Sequence, residues 1–439
     1  MGVKLQMGKI RGVSAPHNKN TQFSKPVILP VPEQVHLPMS MHTGKPAKPV
    51  VSVGEDVKVG QLIGEADGFV SSPVHAGVSG KVKSIDSRDK ITGQLGVSIT
   101  ISSDGEQTAY ENLKPPSVTN LSEFLAAVRD SGVVGLGGAG YPTAPKLTFK
   151  ESVELDYILI NGAECEPYIT SDTRTMIDDA EYVFEGVLLL KKFIKPKKII
   201  ICIENNKPEA IEKMRAAISG ENGVEVRELP SLYPQGERKV LVYNVTGRIV
   251  PEGGRLADVG CTVLNCATVS VFAKYIKLGT PLVSKVITVD GSAVKYPNNV
   301  VAPIGTPIRY LFEFCGGLSK DTKKILLGGP MMGIAAPTLD TPIVKTTNAA
   351  LAFKAKDAEL PAVSACIRCG RCAANCPIRL MTLEFERAYQ LKRPDLLERY
   401  KVNLCIECGC CAYICPAHRP LLQSIKLAKT MLKDYKYHL

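Results

Sequence analysis

Residues 366–377 read CIRCGRCAANCP, and residues 405–416 read CIECGCCAYICP. Cys366, Cys369, Cys372 and Cys376 stand before Pro377 at the same spacing as Cys405, Cys408, Cys411 and Cys415 before Pro416. This C-x2-C-x2-C-x3-C-P run ligates [4Fe–4S] clusters: three thiolates lie on one tight loop, and the fourth cysteine serves the neighbouring cluster. The expected sets are therefore Cys366, Cys369, Cys372 with Cys415, and Cys405, Cys408, Cys411 with Cys376. Zinc also takes four thiolates and is the alternative; the duplicated spacing with both prolines favours clusters. Between the runs, Leu380, Leu383, Phe385, Ala388 and Leu391 follow a helical period, and Pro394 suits the first turn of a second helix towards Tyr400. The cluster domain is expected to be helical, with Cys410 as a small packing residue.

Working outward, a chain of 439 residues holds several domains, because single cores rarely grow past ~250–300 residues. Eight of its 14 cysteines are assigned to clusters, which need reduced thiols and a reducing compartment. No secretory h-region and no apolar run near ~18 residues is present, so no transmembrane segment is expected. Gln6 stands where a myristoylation site needs Ser or Thr. A net charge of +11 suits an acidic partner or an anionic surface. Nucleic acid is not expected, since Trp is absent and no basic, aromatic recognition motif appears.

Residues 1–110 begin with a proline-rich lead-in of few periodic signals. SVGEDVKVGQLIG (52–64) and SPVHAGVSGKVKSI (72–85) resemble the two halves of a biotinyl/lipoyl-type barrel-sandwich hybrid. The turn between them, Glu65 to Ser72, has no lysine, so no swinging arm can be attached and a docking or spacer role is expected. His36, His42 and His75 are too scattered for a metal site.

Residues 111–280 alternate β and α segments. An amphipathic helix around Ser122–Arg129 leads into GVVGLGGAGYPTAPKL (132–147). Here Gly135, Gly137, Gly138 and Gly140 allow a phosphate to approach backbone amides, with Lys146 as a charge partner. The strand Tyr157–Ile160 delivers Asn161, Glu164 and Glu166 at its carboxyl end, where open α/β sheets hold ligands. LYPQGERKV (232–240) and CTVLNCATV (261–269) end apolar runs with polar groups.

These segments resemble the FMN- and NADH-binding domain of the flavin subunit of respiratory complex I, with its "GxRGRGGAGFPTGxKW" loop and "NxDEGEPG" motif. The resemblance implies phosphate and flavin contacts at Gly135, Gly137, Gly138, Gly140 and Lys146, and a stacking ring at Tyr141. Asn161, Glu164 and Glu166 fall at the isoalloxazine and nicotinamide, the two glutamates as orienting groups at the catalytic centre. Glu237, Asn265 and Thr268 complete the cofactor-binding set. Leu136, Ala163, Arg238 and Cys266 replace the family's Arg, Asp, second Glu and second Asn. Non-covalent FMN, with NAD(H) as substrate, would convert a hydride into single electrons for the clusters. Cys165, Cys202, Cys261, Cys266 and Cys315 are expected to be packing residues.

ITVDGSAVKYPNNVVAPIGTPI (287–308) resembles the SLBB β-grasp module of the same subunit, expected here as a brace over 281–345. GGPMMG (328–333) follows, and the helical ferredoxin domain takes 346–439. LLQSIKLAKTMLKDYKYHL (421–439) reads as a basic amphipathic helix, to lie on anionic headgroups or on its own domain. Taken together, the multidomain α/β plus β architecture resembles the C-subunit family of the Rnf complexes, membrane-bound ion-translocating NAD:ferredoxin oxidoreductases. That resemblance implies a peripheral subunit at the cytoplasmic face of the cell membrane. Its partners would be the other membrane and peripheral subunits, with ferredoxin reached through one of them. Two rivals stand beside it: a diaphorase-like subunit of a soluble hydrogenase or formate dehydrogenase, and a cluster-bearing scaffold with a degenerate flavin pocket.

Overall fold

A computed structural model describes residues 10–89, 95–150 and 152–437. The reading of Met1 to Gln6 lies outside the described residues. Gln34–Pro38, Leu95–Ser103, Gly80–Asp89 and Asp56–Val57 pair in that order as one sheet of the front module. Lys48–Pro49, Leu62–Glu65 and Val74–His75 form the facing one. Between them Val35, Leu37, Ile63, Val74, Val82, Ile99 and Ile101 are buried, and their core continues without a break into the next domain. The lysine-free turn docks there: Arg129 donates to the carbonyls of Gly68 and Phe69, at 3.3 Å each.

The α/β domain has a four-stranded parallel sheet in the order Val224–Leu229, Lys198–Glu204, Tyr157–Gly162, Cys261–Asn265. Ile199 to Ile203 are buried without alternation, as a strand covered on both faces requires. One cover layer holds the helices Ala180–Phe193 and Cys266–Leu278, whose Val183, Val187, Leu190, Val269 and Phe272 join the main core. The expected helix near Ser122–Arg129 spans Leu121–Asp130, with Asn120 accepting from the Glu123 amide as N-cap.

The third unit is a mixed sheet ordered Val27–Ile28, Asn298–Pro303, Ser284–Asp290, Ala349–Lys354, Thr322–Leu327, Ile334–Ala335. Two of its strands lie outside the bounds read from sequence. Ala349–Lys354 is an interior strand, paired with Ser284–Asp290 and Thr322–Leu327, so the sheet extends past residue 345. Its sequence, AALAFK, is buried on both faces and carries no period-two signal. Val27–Ile28, from the lead-in, pairs in parallel with Val300–Val301 rather than with the front module. Lys345 ties three units together, donating to the carbonyls of Pro73 and Gly132 at 2.6 Å each and to Ser72 Oγ at 3.2 Å.

The cluster domain is helical. Thr382–Gln390 and Pro394–Arg399 occupy the interval between the cysteine runs, the second with its proline in the first turn. Leu421–Tyr437 lays Leu421, Ile425, Ala428 and Leu432 against Phe385, Ala388, Leu397 and Val402. A fully buried Leu or Ile contributes ~1.5–3 kcal/mol, so the apolar face of this helix is committed to its own domain. Lys426, Lys433 and Lys436 remain exposed on the other face.

Candidate functional site

The sheet order places Lys198–Glu204 on one side of Tyr157–Gly162 and Cys261–Asn265 on the other. Strand succession runs one way across the sheet from Tyr157–Gly162 and then returns to its other side, which makes the crevice at the carboxyl ends of Tyr157–Gly162 and Cys261–Asn265 the topological switch point where such sheets bind ligands. Asn161 and Asn265 face each other in register there. Asn161 Oδ1 accepts from the Ala163 amide at 3.0 Å, and its Nδ2 donates to the Gly236 carbonyl at 2.9 Å. Asn265 caps Cys266–Leu278 by accepting from the Thr268 amide at 3.2 Å, and donates to Asp172 Oδ2 at 2.7 Å.

The glycine loop is clamped over this helix end. Thr268 Oγ1 accepts from the Leu136 amide at 3.0 Å and donates to the Val134 carbonyl at 3.1 Å. A Cβ on Gly137 would stand 2.7 Å from Asn265 Nδ2, closer than real Cβ contacts come, so only glycine lets the backbone lie this near. A Cβ on Gly138 would meet nothing within 4 Å, so that stretch of backbone borders open space. Lys146, on the short helix Thr143–Leu147 after the glycine loop, and Arg238, which opens the helix Arg238–Thr246, lie within electrostatic reach of each other. Burial, then the Arg238 charge, lowers Lys146 to about 8.

The three carboxylates part company. Glu164 is buried and caps a helix from a distance, accepting from the amides of Asp172 at 2.7 Å and Thr173 at 3.2 Å and from Thr173 Oγ1 at 2.7 Å. These donors open the helix Ser171–Asp178, whose dipole favours a negative charge. Burial, then the Glu164 charge, pushes neighbouring Asp172 up to about 7. Glu237 is likewise a cap, accepting from Lys239 and Val240 amides at 2.8 and 3.0 Å. Glu166 differs: Oε2 accepts from the Met331 amide at 3.1 Å, while Oε1 is buried with no partner among the described residues. Burial pushes Glu166 up to about 7. The crevice thus offers loop backbone beside open space and one carboxyl oxygen without a partner among the described residues, a set that fits a flavin phosphate and ring. A separate hollow of about 620 Å³, lined by Asp156, Arg248 and Gly260, lies at the opposite end of the sheet, before the strands begin.

The cysteines gather as two crossed sets. Cys366, Cys369, Cys372 and Cys415 line one pocket together with Pro416. Cys376 lies with the other run: burial, then the Glu407 amide, Lys429, Cys408 and Cys376, act on Cys405, with a net rise to about 11. The two runs repeat each other closely. Arg368 and Glu407 adopt φ of 53° and 56°, and each amide donates to the sulfur two residues earlier at 3.4 Å. Such N–H···S contacts are among the levers on cluster potential. Among the described residues no three His, Cys, Asp or Glu side chains close on a single metal ion.

The sets differ in surroundings. Cys366 and Cys369 are exposed, whereas Cys376, Cys408 and Cys411 are buried. Tyr233 Oη donates to the Cys408 carbonyl at 2.7 Å, and Cys410 Sγ donates to the Tyr233 carbonyl at 3.7 Å. Met331, bonded to Glu166, packs in the same apolar cluster as Tyr233, Cys165, Cys408 and Cys410. GGPMMG therefore links the carboxylate to the buried thiols. Tyr233 and Met331 were not singled out from sequence, because nothing local tells an aromatic or a methionine in a loop which domain it will touch. His36, His42 and His75 are spread over the front module, His36 bonded to Thr100 and His42 to Ser71.

Comparison with known proteins agrees with this order of units. Residues 8–106 match the RnfC barrel sandwich hybrid domain, 128–273 the Nuo51 FMN-binding domain, 286–335 the SLBB domain and 362–419 the 4Fe-4S dicluster domain. The chain is 40% identical to the C subunit of the Na(+)-translocating ferredoxin:NAD(+) oxidoreductase complex of Acetobacterium woodii, over 95% of each chain. It is 40% identical to the proton-translocating counterpart from Clostridium ljungdahlii, over 84% of this chain and 81% of that one. The C subunit of the ion-translocating oxidoreductase complex of Rhodobacter capsulatus is 37% identical, over 98% and 84%. Among solved structures, NAD+-reducing [NiFe]-hydrogenase in the H2-reduced state shares the fold, with a TM-score of 0.50 at 17% identity over 72% of this chain and 62% of that one. Four domain matches in sequence and relatives matched along most of their length lead to one conclusion: the chain belongs to the C-subunit family of the ion-translocating ferredoxin:NAD(+) oxidoreductase complexes.

Proposed function

We propose that this chain is the peripheral subunit that exchanges electrons with NAD(H) in such a complex, on the cytoplasmic side of the membrane, with ferredoxin served by another subunit. FMN, when bound, supplies the conversion between a hydride and single electrons. The chain's residues divide the remaining work. Leu136 to Gly140 and Lys146 hold the phosphate end, and Tyr141 stacks on a ring. Asn161 and Asn265 hold the two strand ends at a fixed separation, with Thr268 fastening the loop above them. Glu166 orients the ring system and carries a proton near neutrality, whereas Glu164 and Glu237 act through the helices they cap. Cys376, Cys405, Cys408 and Cys411 hold the cluster nearer the flavin loop, and the exposed set Cys366, Cys369, Cys372 and Cys415 faces a partner subunit. Among the described residues no helix is long and apolar enough to cross a membrane.

The observation that carries this reading is the contact of Tyr233 with Cys408, which locks the buried thiol set against the domain holding the crevice. The test is anaerobic addition of NADH to the purified chain reconstituted with FMN, iron and sulfide. Bleaching of the flavin followed by EPR signals from reduced clusters is expected. Clusters that respond to dithionite but never to NADH would leave the scaffold reading standing.

A further inference from the structure

The lead-in before the front module runs back past Tyr233 and across the loop of residues 163–170, which carries Glu164 and Glu166, and is pinned at several points. The amides of Val13 and Tyr233 donate to each other's carbonyls at 2.8 and 3.0 Å, and the Tyr168 amide donates to the His17 carbonyl at 2.9 Å. Thr21 Oγ1 lies 2.6 Å from Thr170 Oγ1. In the middle, Lys19 Nζ donates to the carbonyls of Glu164 at 2.7 Å, Glu166 at 2.8 Å and Ile169 at 2.5 Å. All three donor sites of the ammonium are used, and all three acceptors are backbone oxygens of the loop that carries the two carboxylates.

This loop has no repeating structure of its own, and Tyr168 within it sits at φ 69°. Three carbonyl dipoles aimed at one point repel one another unless a cation lies there, and buried carbonyls left unpaired cost ~1–3 kcal/mol each. Lys19 has no direct carboxylate partner among the described residues; nearby Glu204 is committed to a buried pair with Lys207 at 2.7 Å. Burial accordingly lowers Lys19, against the opposing pull of Glu164.

We infer that Lys19 is a built-in cation seated in a three-carbonyl cage, and that it is the positioning residue which sets where Glu164 and Glu166 stand. The cage itself rests on geometry alone; its effect on flavin chemistry rests on the function proposed above. A cage of this kind accepts any small monovalent cation once the tethered ammonium is gone. Lys19→Gly opens it, and Lys19→Met keeps the volume while removing the charge.

The experiment uses the full chain reconstituted with FMN and clusters. For Lys19→Gly we expect a lowered melting temperature that potassium or methylammonium restores and choline, too large for the cage, does not, with the wild type indifferent to all three. FMN binding should weaken about tenfold, equivalent to ~1.4 kcal/mol, and recover with the same cations. For Lys19→Met, amide hydrogen exchange over residues 163–171 should quicken while cluster content stays unchanged, and methylammonium should have no effect. Unchanged exchange in Lys19→Met, or a Lys19→Gly defect indifferent to every small cation, overturns the inference. If the wild type itself fails to bind FMN, the flavin reading falls, while the cation dependence of melting still decides the cage.

Discussion

Glu164 and Glu166 are two residues apart and do opposite things. Glu164 commits its carboxylate to the amides of Asp172 and Thr173, so Glu164→Ala should destabilise the domain by about 1–2 kcal/mol, the usual scale of a lost cap, seen as a lower melting temperature. Glu166 keeps a buried oxygen with no partner among the described residues and is pushed up to about 7 from an ordinary value of 4.5. Between those pH values the folded chain retains a proton that the unfolded chain releases, so this group costs stability as pH rises through the window. Glu166→Gln removes the titration. NADH-driven flavin reduction in the wild type should inflect near pH 7 and flatten in the variant; an inflection that persists assigns it to another group, with Asp172 the first to examine.

At the scale of elements, the glycine loop and the helix capped by Asn265 form one device. Gly137→Ala puts a methyl 2.7 Å from the Asn265 amide, and either the loop lifts or the cap breaks, a strain of ~1–3 kcal/mol. Faster loss of FMN on gel filtration is the expected sign. The crossed cysteine sets are an element-level property as well. Cys415→Ser should remove the EPR signal of the cluster on Cys366, Cys369 and Cys372, and Cys376→Ser that of the other. If each substitution instead abolishes the cluster of its own run, the crossing is wrong.

Over the whole molecule, the front module should carry much of the acid sensitivity, because burial pushes its His36, His42 and His75 down. Burial lowers His36 to about 4 and His75 to about 3, from 6.5. Between those values and 6.5 the unfolded chain binds protons that the folded one refuses. The contribution of these histidines to stability is therefore complete above about pH 6.5 and is lost on acidification, by ~1.4 kcal/mol per pH unit for each. His36→Asn should make the acid limb of the unfolding curve shallower; an unaltered limb places the acid sensitivity elsewhere. Because the front module and the α/β domain share one core, the two should unfold together in calorimetry.

What the sequence alone determined is whatever the covalent order carries: the cysteine spacing, the glycine loop, the alternation of strands and helices, and Pro394 in its first turn. These are local, because a cluster loop or a phosphate loop needs particular residue types at fixed separations along the chain. Tertiary structure alone decided that Glu164 and Glu237 are caps while Glu166 keeps one oxygen without a partner among the described residues, since the amides they meet depend on how loops settle against helices. It also brought Lys19 beneath Glu164, Tyr233 against Cys408 and the strand Ala349–Lys354 into the third sheet. Those contacts join residues far apart in the chain, and a lysine in an aperiodic lead-in or an alanine-rich strand buried on both faces carries no local sign of what it will meet.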